Sequence, residues 1–201
     1  MTVFVAGMVL RGARACAPEG LRVNVTSAQP LAAKDRLAFS PMHVHERPFS
    51  LRGETFANFE AFWQSRKKLK GIPHATTKHF WAIQKKAKRR HPKMKANGVE
   101  YAADPKFPAE EMNYVTSRRK LYVPDYHSCF LEGSQRIAEL QNVDGNVVIF
   151  DFDGPFDGDT PVCLPVTAEM LREKIADTSR PFGHGYVVAA AVAGIELSEF
   201  V

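Results

Sequence analysis

The sequence predicts a mainly α domain with a few short β-strands, with α+β as the alternative class. Six stretches read as helices, against two or three short strand-like segments. The helical readings rest on apolar residues recurring at the 3.6-residue period, and the strand readings on alternation or β-branched runs bounded by turns. With 201 residues and 45% apolar content, the chain is long enough to bury a core without disulfide or metal staples. We therefore read it as one domain, 1–201.

Element by element, the apolar start Met1–Leu10 lacks a basic leader and reads as a first strand or an unstructured start, not a secretion signal. Leu21–Thr26 alternates apolar and polar residues, as a short strand does. Ser27–Pro48 is rich in turn-formers and reads as an ordered loop, with Leu37–Phe39 as a brief strand. Phe56–Lys70 reads as a helix, since Phe56, Phe59, Phe62 and Trp63 fall on one side and Gly71 and Pro73 stop it. Thr76–Arg90 is a second helix, anchored by Phe80, Trp81 and Ile83. Glu110–Tyr122 is a third, with Met112, Val115, Arg119 and Tyr122 on one face and Pro124 as its breaker, and Ser128–Gln141 is a fourth. Asn146–Phe150 is the clearest strand. Thr167 caps a helix to Thr178, and Gly183–Ile195, small and apolar, closes the chain as a buried helix.

The net charge of +5 hides opposed blocks. Residues 61–99 hold 12 basic side chains and no acidic one, whereas residues 139–201 hold 3 basic and 11 acidic. Aromatic rings (Phe62, Trp63, Phe80, Trp81) interleave with the cations, a pattern that suits a phosphorylated or nucleic-acid ligand; a solvated helix face is the plainer alternative. The three scattered cysteines include no Cys-x-x-Cys pair, which argues against a disulfide scaffold or zinc ribbon, and Cys129 and Cys163 read as core thiols. No run of eighteen apolar residues occurs, so no membrane span is expected and the reading is cytoplasmic. His43-x-His45 lacks an identifiable third ligand, so no metal is expected there.

Three constellations carry chemistry-bearing residues. Glu60, Gln64 and Lys67 are spaced i, i+4, i+7, so a helix would put them on one face beside the aromatic stripe. A lysine at the rim of an apolar pocket is a nucleophile in waiting, and a nearby glutamate can move protons; the same spacing also describes a routine helical ion pair. Asp151 and Asp153 stand at a strand end before Gly154-Pro155, where they could bind a ribose hydroxyl, hold a water or cap the turn. Gly183-His184-Gly185 opens the last helix, where backbone amides favour an anion, although glycines there also serve tight packing.

The stretch ANFEAFWQSRK, Ala57–Lys67, resembles the Glu-His-x-x-Gln-x-x-Lys helix of the NADAR, or YbiA-like, family. Around it, Phe39-Ser-Pro precedes the helix and Lys88-Arg-Arg-His-Pro stands near the family's Gly-Arg region. Glu111–Lys120 looks like the family's Val-Met helix, Asp151-Phe-Asp153-Gly falls at its late acidic residue, and Phe182-Gly-His-Gly is similar to its Gly-rich segment. The resemblance implies a mainly α core over about 37–195, with 1–36 as a strand-and-loop extension, and cleavage of N-glycosidic bonds to ribose. It implies Lys67 as the amine attacking the anomeric carbon, Glu60 as acid and base, and Asp151 or Asp153 in the late acidic role. Trp63 and Gln64 would line the base or ribose, Arg89 or Arg119 would hold phosphate, and Gly183 and His184 would approach the substrate. The implied substrate is a phosphoribosyl or ADP-ribosyl nucleotide, free or within nucleic acid, and neither metal nor cofactor is called for. Two other readings stay open: a non-catalytic nucleic-acid-binding or nucleotide-binding module built on the basic 66–95 block, and a ribosyl transferase using the same pocket.

Overall fold

The computed structural model describes residues 1–9, 12–26, 33–43, 49–86, 88–94, 98–104 and 111–201. Its class is α+β, the alternative named above, and not mainly α. Most of the strands that the residue pattern does not announce are two or three residues long, and one of them, Lys67–Leu69, reads Lys-Lys-Leu. Segments that short carry no measurable period, and the partner of Lys67–Leu69 lies far along the chain, at Val99–Ala103. Segments 27–32 and 44–48 of the expected loop, with His45, and Lys95 of the basic block lie outside the described residues.

The chain divides into two compact units, residues 1–40 with 126–201, and residues 41–125. The first is built on a four-stranded sheet in the order Cys163–Pro165, Thr2–Gly7, Asn146–Asp151, Leu21–Asn24. Asn146–Asp151 runs parallel to both neighbours, pairing Val148 with Phe4 and Ile149 with Val23, while Cys163–Pro165 is antiparallel at the edge. A strand buried on both faces needs a continuous apolar run, and Val147, Val148 and Ile149 are all fully buried. The helix His184–Ala193 packs on Thr2–Gly7 and Asn146–Asp151 and on the helices Gln135–Gln141 and Ala168–Ala176. It is covered on nearly every side, which explains its uniformly apolar, small-residue sequence. Residues 1–36 supply two strands of this sheet. Leu37–Phe39, expected as a strand, instead ends the helix Ala33–Phe39.

The second unit shows how tertiary pairing shortened the expected helices. Phe49–Leu51 and Glu54–Phe56 form a hairpin whose two turn residues, Arg52 and Gly53, both have positive φ (51° and 78°), the geometry of a type I′ turn. The expected helix over 56–70 is confined to Phe59–Ser65, capped by Asn58, whose Oδ1 accepts from the Ala61 N–H at 2.8 Å. Its former C-terminal half pairs as Lys67–Leu69 with Val99–Ala103, which in turn pairs with Glu111–Met112. The second helix stops at Ala82, short of the expected Arg90.

Pro124 does not end the third helix. Tyr114–Ser117 widens into a π-helical turn, Arg118–Tyr122, and runs on as Val123–Phe130. In the π turn the Val123 N–H reaches the Arg118 carbonyl, five residues back. A proline lacks the N–H that would bond to the Lys120 carbonyl; Arg52 Nη2 approaches that oxygen at 3.4 Å instead. The expected fourth helix, 128–141, is cut by a turn at 131–133 before Gln135–Gln141, whose cap is Ser134.

Candidate active site

Of the residues singled out above, Glu60, Trp63, Gln64, Lys67, Arg89 and Arg119 belong to the 41–125 unit, and Asp151, Asp153, Gly183 and His184 to the other. Each group is described within its own unit.

In the 41–125 unit, Phe59–Ser65 turns its aromatic side into the core. Phe59 packs edge-on against Tyr122 at 5.7 Å, and Trp63 lies 5.1 Å from Tyr122. Glu60, at the first turn, takes the opposite flank, its backbone N–H donating to the Pro41 carbonyl at 2.8 Å. Its Oε1 accepts from Gln64 Nε2 at 2.7 Å. That bond fixes the orientation of the amide, because a carboxylate needs a donor opposite it. The amide's other end, Gln64 Oε1, is buried with no hydrogen-bond partner among the described residues.

Lys67 is not on the helix. The chain leaves the helix at Arg66, and Lys67 opens a strand, so the i, i+7 face expected for it does not exist. Its amine nonetheless comes back over the indole of the same segment, 5.2 Å from the Trp63 ring, a cation–π distance. Glu60 with Gln64, and Lys67 with Trp63, thus form two pairs on one short segment, the second made by a route other than helical spacing. Between Gln64 and Lys67 sits a residue the motif reading did not weigh: Arg66 is 1% exposed, ion-paired with Glu54 and hydrogen-bonded to Ser65 Oγ. Lys78 joins the same Glu54. Two of the twelve cations in the acid-free block therefore share one carboxylate just outside it.

The remaining cations of that block divide by exposure. Lys85, Lys86, Lys88, Arg89, Arg90 and Lys93 are exposed, following the helix His74–Ala82. The interleaved rings do not stack outward with them: Phe62, Trp63 and Trp81 are buried, and Phe80 packs on His91 at 4.4 Å. Burial and then Lys93 lower the pKa of His91. Arg119 is half-buried in the π turn, where its Nε has no hydrogen-bond partner among the described residues.

In the other unit the late carboxylate is committed internally. Asp151 is 2% exposed. Its Oδ2 accepts from the Gly185 N–H at 2.8 Å and lies 3.4 Å from His184 Nδ1, while Oδ1 takes the Asp153 N–H at 3.3 Å. His184 Nε2 lies 2.8 Å from the Val25 carbonyl, which can only accept. The helix start expected to receive a substrate anion therefore already holds one, and Asp151 occupies it. Gly185 is required by that approach, because a Cβ on it would sit 2.6 Å from Asp151 Cβ. Asp153 itself is exposed. Beneath this group Tyr126, fully buried, donates to the Phe39 carbonyl; burial and then the Asp151 charge hold its hydroxyl well above the usual tyrosine range.

A second carboxylate network in the 41–125 unit escaped the sequence reading. Arg52 Nε lies 2.9 Å from both Asp125 oxygens, and its Nη1 lies 3.4 Å from Asp104 Oδ1. Burial pushes the Asp125 carboxyl up to about 6 against the pull of Arg52. The only local signal for this cluster is the Arg52-Gly53 turn dipeptide; its partners are 52 and 73 residues away. Among the described residues no group of three His, Cys, Asp or Glu side chains is arranged to hold a metal, and no helix is long and apolar enough to cross a membrane. Cys129, expected in the core, is exposed, and Cys163 is half-buried.

Comparison with protein-family models, with curated proteins and with solved structures gives no match to this chain.

Proposed function

We propose that the protein is an N-glycosidase of a phosphoribosyl or ADP-ribosyl nucleotide, with Lys67 as nucleophile and Glu60 as proton donor and acceptor. The observation that supports this reading is the grouping of a carboxylate, an oriented amide and an amine on one short segment, with the amine over the indole of Trp63. In this scheme the Lys67 ammonium first gives a proton to the Glu60 carboxylate; Glu60 passes it to the departing base as the free amine forms a bond to the anomeric carbon and the glycosidic C–N bond breaks. Opening of the sugar ring gives a protonated imine, and water, deprotonated by Glu60, attacks that carbon to release ribose and regenerate the amine. Transfer to another acceptor differs only in what attacks the imine. Asp151 has no step in this scheme, since its oxygens are engaged within the fold.

Borohydride reduction in the presence of ribose 5-phosphate or ADP-ribose, followed by peptide mass spectrometry, tests the scheme. A reduced adduct on Lys67, absent in Lys67→Ala and suppressed in Glu60→Gln, is the expected result. An unmodified Lys67, or full turnover by Lys67→Ala, would overturn it.

The exposure of Lys85, Lys86, Lys88 and Arg89 supports a second reading, contact with nucleic-acid phosphates. The burial of the interleaved aromatics restricts that contact to backbone electrostatics, without base stacking.

A further inference from the structure

The 1–40/126–201 unit contains a cavity of about 580 Å³ that none of the residues above explains. It is walled by the loop that leaves the central parallel strand, Gly154–Asp159, and by the segment from the last turn of the helix Ala168–Ala176 to Tyr186. That places it beyond the carboxyl ends of Thr2–Gly7 and Asn146–Asp151, where open parallel sheets hold their ligands. Its volume lies in the range of small-molecule sites.

The charges in its wall are not equivalent. Asp177 Oδ1 accepts from both the backbone N–H and the hydroxyl of Ser179, closing a local turn. Arg180 donates to the Gly158 carbonyl, lies 3.4 Å from Asp159 Oδ1 and covers the Phe156 ring at 4.5 Å. Lys174, half-buried at the helix end, takes part in no ion pair or hydrogen bond among the described residues. An amine held at a cavity wall without a counter-ion calls for an anion. Arg180 and Asp159 add a donor and an acceptor, and Phe156, under the Arg180 guanidinium, and the buried Tyr186 complete the wall. A cation without a partner among the described residues and a donor–acceptor pair match the phosphate and the ribose of a nucleotide.

We propose that this cavity binds a nucleoside monophosphate, with Lys174 as the counter-ion of the phosphate and Asp159 and Arg180 meeting the ribose hydroxyls. The site uses none of Glu60, Gln64 or Lys67, so it stands or falls independently of the glycosidase reading.

Isothermal titration of the full chain with AMP, adenosine and inorganic phosphate tests it. Wild-type protein is expected to bind AMP more tightly than either fragment. Lys174→Ala should weaken AMP by about tenfold, the loss of one charge-assisted contact, while leaving adenosine nearly unchanged. Lys174→Arg should keep most of the affinity, and Lys174→Glu should remove it; far-ultraviolet circular dichroism confirms that each variant is folded. Absence of AMP binding by the wild type, or equal AMP affinity in Lys174→Ala, would each overturn the proposal.

Discussion

Among the helices of this protein that begin on a side-chain oxygen, two obtain it in opposite ways. Phe59–Ser65 takes its cap from Asn58, the residue immediately before it. His184–Ala193 has Gly183 at the cap position, which offers no side chain, and the acceptor for its Gly185 N–H comes from Asp151, 34 residues earlier. The first arrangement is local and leaves the Glu60 side chain to pair with Gln64, whose buried amide oxygen has no hydrogen-bond partner among the described residues. The second ties a strand end to a helix start. A carboxylate that looks catalytic by motif is there spent on joining two elements. A polar group in a motif is thus better judged by how many of its hydrogen bonds the fold already satisfies than by its spacing.

Substitution of the carboxylates breaks or sustains that contrast most directly. Asp151→Ala leaves the Gly185 and Asp153 N–H groups without their acceptor and is expected to lower stability by about 2–4 kcal/mol. Glu60→Gln is expected to cost about 0.5 kcal/mol or less. Urea denaturation of both variants measures the difference, and equal losses would erase the distinction between a long-range and a local cluster. The local cap should matter less than the long-range one. Asn58→Ala is expected to cost about 1 kcal/mol by the same measurement, the usual value of a lost N-cap.

The smallest effect concerns Asp125, a carboxylate buried in the 41–125 unit but paired with Arg52. Its folded-state value of about 6 lies above the ordinary 3.8, so between those pH values the folded chain holds this proton more tightly than the unfolded chain does. Its contribution to stability is therefore largest near pH 4, declines as pH rises to about 6, and is flat above that. Urea midpoints of wild type and Asp125→Asn at pH 4 to 7 should diverge with this sign. A wild type that instead gains on the variant as pH rises would show that Arg52, not burial, dominates the site.

Much of the fold was legible where local chemistry sets it. Asn146–Phe150 reads as a strand because a run of Val, Val, Ile and Phe suits burial on both faces. Thr167 reads as a cap, and its hydroxyl oxygen does accept from the Met170 N–H at 3.2 Å. The closing helix reads as buried because it carries no charge over Gly183–Ile195. Where the reading departed from the structure, the deciding partner was remote. Lys67–Leu69 became a strand because Val99–Ala103 lies against it. The helix passed Pro124 because a π turn had already shifted the hydrogen-bond ladder and Arg52, 68 residues away from Lys120, approaches the carbonyl concerned. The basic block is acid-free, yet Glu54 pairs with both Arg66 and Lys78 from the hairpin before it.

The sequence by itself determined the core strand Asn146–Phe150, the cap at Thr167, the buried last helix, and the nearness of Glu60 to Gln64, because each depends on neighbours within a few residues. Only the tertiary structure decided that Lys67 leaves the helix yet returns over Trp63, that Asp151 caps a distant helix, and that Lys174 stands without a partner in a cavity wall. Burial and pairing at those positions depend on which distant segments meet, and local pattern carries no information about that.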